Sequence, residues 1–139
     1  MHASAPDPEG RRAVETGDAP EPIGPYSQAL VAGGVLYCSG QVPLDPETGE
    51  LVEGGIAEQA RRCLQSLAAV CQAAGARLED SARMTIYLTA MEDFPAVNEV
   101  YSEFFSEPFP VRSTVGVAAL PKGAMVEMDA TVPLGERQS

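Results

Sequence analysis

Histidine is almost missing from this chain, the only one being His2 in a segment expected to be disordered. Mechanisms that need imidazole drop out together: a serine or cysteine nucleophile activated by histidine, a histidine-ligated metal and a histidine general base. The polar candidates that remain are set against strand-like or helical patterns: Tyr26, Ser39, Asn98, Arg112, Thr114 and Glu127. Arg112 stands between Pro110-Val111 and the run Ser113 to Val117, where a long cation has little packing to offer. A guanidinium there presents a planar fork that fits a carboxylate in bidentate fashion, and a structural ion pair with one of the chain's acidic side chains fits the residues equally well. Glu127 lies among Met125, Val126 and Met128. Partial burial would raise its pKa toward the range useful for moving protons, whereas on an alternating strand it can also face water. Asn98 falls one step from the apolar stripe of a helix, where a solvated amide is the common case. Tyr26 follows Gly24-Pro25 and Ser39 precedes Gly40-Gln41, so both border turns at which the backbone can approach a ligand closely.

The elements that must position these residues are legible as periods. Residues 1–19, with several Pro, Glu and Gly and few large apolar groups, read as a flexible leader, and 20–139 as a single domain. Ser27 to Ala32 and Val35 to Ser39 read as strands joined by a tight hairpin at Gly33-Gly34, and Pro43 to Gly49 as a turn. From Ile56 to Ala74 the apolar residues follow the spacing of a one-sided helix, with Gly75 just past its end. Met84, Ile86 and Leu88 alternate with Thr85, Tyr87 and Thr89 as in a half-buried strand. A second helix is predicted from about Asp93 to Phe105, with Asp93 as N-cap, Pro95 in the first turn and Phe94, Val97, Tyr101, Phe104 and Phe105 on its inner face. Arg112 to Ala118 and Ala124 to Val132 read as strands of a hairpin linked by Leu120-Pro121-Lys122-Gly123. The order is ββαβαββ, an α/β (α+β) arrangement with a mixed sheet and both helices on one face. Two helices leave the other face of the sheet bare, and self-association is the simplest way to cover it.

Composition bounds the partners. A chain of 139 residues fits one core, and no stretch approaches the roughly 20 apolar residues of a membrane-spanning helix. The apolar run of a secretory signal is also missing, so the cytoplasm is the default setting. Three cysteines, Cys38, Cys63 and Cys71, lack metal-site spacing and read as small buried hydrophobes. A formal net charge of −11 repels phosphate backbones, so nucleic acid is not expected as a partner. Neither a metal nor a cofactor is expected.

Five segments together resemble the Rid family, the reactive-intermediate deaminases also called RidA or YjgF proteins. They are Ile23 to Ala29, Ser39-Gly40-Gln41, Asp93-Phe94 with Val97 to Tyr101, Pro110 to Ser113, and Leu120 to Gly123 with Val126-Glu127. The resemblance spans about Pro20 to Pro133. It implies a YjgF-like (chorismate mutase-like) fold, a homotrimer with a barrel-like centre, and three clefts at subunit interfaces that hydrolyse 2-imino acids to 2-keto acids and ammonia. In that picture Arg112 binds the substrate carboxylate, Glu127 and the backbone carbonyl of Thr114 place the attacking water, and Asn98 shapes the same wall. Tyr26, Ser39 and Gly40 match positions that line the cleft from the neighbouring chain. The implied chemistry suits a chain without usable histidine, because a protonated imine is already a strong electrophile. Thr114 stands where deaminase members usually carry cysteine, and Val111 where alanine is usual. A non-catalytic binder of small 2-keto acids, anchored by Arg112, is the competing expectation, and RNA cleavage is a third, disfavoured by the charge.

Overall fold

The computed structural model describes residues 2–135 apart from residue 4. The last residues of the expected domain, 136–139, lie outside the described residues, as do residues 1 and 4 of the expected leader. Seven strands form one mixed sheet: β1 (His2–Ala3), β2 (Arg12–Glu15), β3 (Ala29–Ala32), β4 (Val35–Gln41), β5 (Arg83–Leu88), β6 (Val111–Gly116) and β7 (Val126–Pro133). Their order across the sheet is β1-β2-β3-β4-β7-β5-β6. Among the described residues the only parallel ladder joins β5 to β6, and the remaining pairs are antiparallel.

Two helices, α1 (Ile56–Ala73) and α2 (Phe94–Tyr101), connect the strands that run in the same direction. β4 and β5 both lie antiparallel to the intervening β7, so α1 spans a parallel crossover, as does α2 between β5 and β6. The predicted apolar stripe of α1 is buried: Ala60, Cys63, Leu64, Leu67, Val70 and Cys71 have no exposed surface and meet Met84, Ile86, Leu88, Val126, Met128 and Val132 from the sheet. Each such large side chain contributes roughly 1.5–3 kcal/mol relative to exposure. All three cysteines are buried and free, as their reading as small hydrophobes requires. Gly33 and Gly34 both take positive φ, 58° and 76°, as the tight hairpin between β3 and β4 demands. No helix among the described residues is long and apolar enough to cross a membrane.

Three expectations need correction. Residues 12–15, placed in a flexible leader, form β2 and pair with β3, burying Val14 completely. The stretch that follows is tied down by one side chain. The amide nitrogen of buried Gln28 donates to the carbonyls of Thr16, Ala19 and Pro20 at 3.1, 3.3 and 2.9 Å, and its oxygen accepts from the Thr16 N–H at 2.7 Å. Pairing with β3 and the Gln28 side chain thus supply the order that the local composition lacks. The second helix stops at Tyr101, and the chain continues to Phe104 in tight turns rather than helix. Finally, β6 and β7 form no hairpin: β5 lies between them, parallel to one and antiparallel to the other. A ladder with either strand would suit the short link chemically, and the crossover through α2 decides it by delivering β6 beyond β5.

Candidate active site

The register assigns each site residue to a face. On β5 the fully buried Met84 and Ile86 point to the helices, and their partners on β6 are Arg112 and Thr114. Arg112 therefore projects beneath α2. Its guanidinium carbon stands 4.8 Å from the centre of the Tyr101 ring and 5.5 Å from that of Phe94. Ion pairs among the described residues engage Arg11, Arg61 and Arg77, and Arg112 takes part in none. The structural ion pair considered from the sequence is thus not what holds this side chain. Close by on α2, the Oδ1 of Asn98 and the phenol oxygen of Tyr101 are buried without a hydrogen-bond partner among the described residues. Burial raises the Tyr101 pKa, and the nearby Arg112 charge opposes that rise.

β6 is the last strand of the sheet. Its Val111 N–H donates to Ala82, and the Val117 N–H beyond it donates to Leu88, so the odd-numbered backbone groups face β5. By the two-residue period of a strand, the Thr114 carbonyl points the other way, to the free edge.

Glu127 belongs to the opposite face. It pairs with Tyr87, whose neighbours Ile86 and Leu88 are the buried ones, so both side chains leave the sheet away from the helices. There Glu127, Tyr26, Ser39, Gly40 and Pro121 line a cleft of about 330 Å3, completed by Ile23 and Val42. Ser39 donates to the Ser27 carbonyl at 2.6 Å, which ties the end of β4 to the loop bearing Tyr26. Within that loop the phenol oxygen of the exposed Tyr26 accepts from the Ile23 N–H at 3.2 Å. Gly40 sits where β4 and β7 lose register, and a methyl group on it would collide with the Glu127 carboxylate, whose Cδ would lie 2.9 Å away. Its role is to leave room, since its φ is ordinary. Partial burial is the main cause of a raised Glu127 pKa, with the Asp129 charge adding to it. Asp129 itself accepts a 2.8 Å hydrogen bond from the Tyr87 hydroxyl.

The structure therefore gathers Glu127 with Tyr26, Ser39 and Gly40, and Arg112 with Asn98, but it does not bring the two groups together within one chain. This corrects the expectation that Arg112 and Glu127 converge from one chain while Tyr26, Ser39 and Gly40 belong to a neighbour. The reason is register: an arginine at an even position of β6 faces the helices, a glutamate at an odd position of β7 faces away, and neither period states which face is which. Sequence patterns did not single out Phe94 and Tyr101, which read only as core, nor Tyr87 and Asp129. Only Asp129 carried a signal, two residues from Glu127 on an alternating strand.

Similarity to known proteins agrees with this architecture. Residues 16–133 match the family profile described as Endoribonuclease L-PSP. The chain belongs to that family, also called Rid or YjgF. A protein of Dermatophagoides farinae named 2-iminobutanoate/2-iminopropanoate deaminase is 46% identical, across 88% of this chain and 95% of its own. The crystal structure of RidA from the Antarctic bacterium Psychrobacter sp. PAMC 21119 superposes with a TM-score of 0.85 at 43% identity, covering 88% of this chain and 98% of that one. The structure of E. coli TdcF with bound serine gives a TM-score of 0.83 at 38% identity, covering 88% and 98%.

Proposed function

We propose that this Rid protein is an imine deaminase whose site is completed between copies of the chain: Arg112, Asn98 and the Thr114 carbonyl from one copy, Glu127, Tyr26, Ser39 and Gly40 from the next. The observation that carries the reading is that, among the described residues, a cation without an anion and a carboxylate without a cation lie on opposite faces of one sheet. Neither half hydrolyses anything alone. The bare face also carries exposed Tyr37 and Val115, and the edge of β6 is unpaired, so a second copy has both apolar surface and backbone to meet. The homotrimer and the cytoplasmic setting implied by resemblance and composition belong to the same reading. Support for the reaction class comes from the name of the Dermatophagoides relative, and support for recognition of an amino-acid-like carboxylate comes from serine bound to TdcF.

In this mechanism the Arg112 fork donates two N–H bonds to the carboxylate of a 2-iminium acid in bidentate fashion, and Asn98 shapes the wall beside it. Glu127 and the Thr114 carbonyl hold a water against the iminium carbon. As the water oxygen forms its bond to carbon, the C=N electron pair moves to nitrogen and Glu127 takes a proton. The protonated Glu127 then passes that proton to the amine of the carbinolamine. The Glu127 carboxylate then takes the hydroxyl proton as the oxygen's electron pair forms the C=O bond and the C–N bond breaks; the departing ammonia picks up that proton as ammonium, leaving the 2-keto acid. Water and iminium are consumed, ketone and ammonium are formed, and no metal, cofactor or covalent intermediate is needed. A pKa above the ordinary glutamate value suits a group that must both take and return this proton.

The test generates the imine in situ with an amino acid oxidase and follows keto acid release with and without the protein. Acceleration is expected. Binding of keto acids with no acceleration overturns the enzyme in favour of the competing binder.

A further inference from the structure

The surroundings of the Arg112 guanidinium are aromatic rather than acidic. Phe94 and Tyr101 stand about two turns apart on α2, so both rings face the same side of the helix and meet the cation from there. Tyr101 is the nearer of the two and the more rigid. Its ring is stacked on Phe105, with centroids 4.4 Å apart and planes inclined by 26°, and only 6% of the residue is exposed. Its hydroxyl contributes nothing to this packing, having no hydrogen-bond partner among the described residues.

A carboxylate partner would have fixed Arg112 by occupying its N–H fork. A ring face holds the same cation through its π-system and leaves the in-plane N–H groups free. The difference bears on binding, because a free arginine side chain samples many rotamers and loses that freedom when it engages a ligand.

We propose that Tyr101, backed by Phe105 and assisted by Phe94, is a positioning residue that orients Arg112 and presents its open fork to the substrate carboxylate. This rests on the reading of Arg112 as carboxylate anchor. The carboxylate is not the reacting group and is held equally in ground and transition states, so loss of the platform weakens substrate binding and spares the chemical step.

The experiment compares Tyr101→Phe, Tyr101→Leu, Phe94→Leu and Arg112→Ala with the full-length protein in the oxidase-coupled assay, each checked for folding by circular dichroism. Tyr101→Leu is expected to raise KM about tenfold with kcat changed less than about twofold. Tyr101→Phe retains the ring face and should match the parent protein. Phe94→Leu removes the more distant, half-buried ring and should raise KM about threefold, which keeps the proposal testable if Tyr101→Leu fails to fold. Unchanged KM in the folded leucine variants overturns the platform, as does a Tyr101→Phe variant as impaired as Tyr101→Leu. If Arg112→Ala is inactive while the ring variants behave normally, only the platform falls. Should Arg112→Ala retain full turnover, the carboxylate-anchor reading itself fails.

Discussion

The helix side and the bare side of the sheet treat their charges differently. Arg112 is held among α2 rings at the rim of the core, in an environment of tightly packed helix and strand. Glu127 stands over an open cleft, walled by a loop, a glycine and the link before β7, with a second carboxylate two residues away. On one side aromatic packing stabilises a fixed cation. On the other, space and a neighbouring negative charge leave a carboxylate free to change protonation. The contrast teaches that one sheet offers two environments through its two faces, one aromatic and packed, the other open and negatively charged, which suit the anchoring and proton-transfer roles proposed for them.

The comparison is broken most severely by removing the anchor. Arg112→Ala should lower kcat/KM by on the order of a thousandfold while leaving the thermal transition near that of the parent, because loss of a bidentate charged contact removes several kcal/mol of binding. Retained turnover in the coupled assay would refute the assigned role. Mixing probes the separation of the halves. Under the proposed function, in which each site takes its two halves from different copies, Arg112→Ala and Glu127→Gln, each inactive alone, should regain about a quarter of the parent activity when co-refolded in equal amounts. No recovery would return both groups to one chain, against their opposite faces.

Gly40 tests the space around Glu127. Gly40→Ala drives a methyl group into the carboxylate, and the flexible glutamate swings away at little cost in stability while kcat falls by about one to two orders of magnitude. Unchanged kcat would mean that the carboxylate position is immaterial. A smaller effect sharpens the proton-transfer side. Glu127 must be ionised to accept a proton, so activity falls as pH drops through its raised pKa; Asp129→Asn removes one cause of the rise and should move the acid limb of kcat/KM to lower pH. The limb staying in place would dismiss Asp129 as a tuning charge.

The smallest expected effect is thermodynamic. A carboxyl whose pKa rises on folding favours the folded state below the ordinary glutamate pKa, and that contribution is lost as pH rises through the folded value. Glu127→Gln should therefore raise Tm slightly at neutral pH, with the difference vanishing in mild acid; an equal shift at both pH values would point to packing instead.

Much of the architecture is legible from periods and punctuation. The stripe of α1, the hairpin at Gly33-Gly34 and the alternation of β5 and β7 are local signals, and burial follows each of them. β2 escaped because Arg12–Glu15 is short and lies in polar sequence, and its order depends on its ladder with β3, while the Gln28 amide holds the residues just after it. The hairpin expected of the last two strands failed for a related reason: adjacency in sequence favours pairing, yet the crossover through α2 inserts β5 between them.

Legible in the chain alone are the near absence of histidine, which removes imidazole mechanisms, and the motifs of the Rid family, whose resemblance assigns Arg112, Glu127 and the Thr114 carbonyl their proposed roles. Tertiary structure alone decided that Arg112 and Glu127 leave the sheet on opposite sides. Alternation specifies that neighbours along a strand point oppositely, but which set faces the core depends on the partner strands and on the helices laid across them.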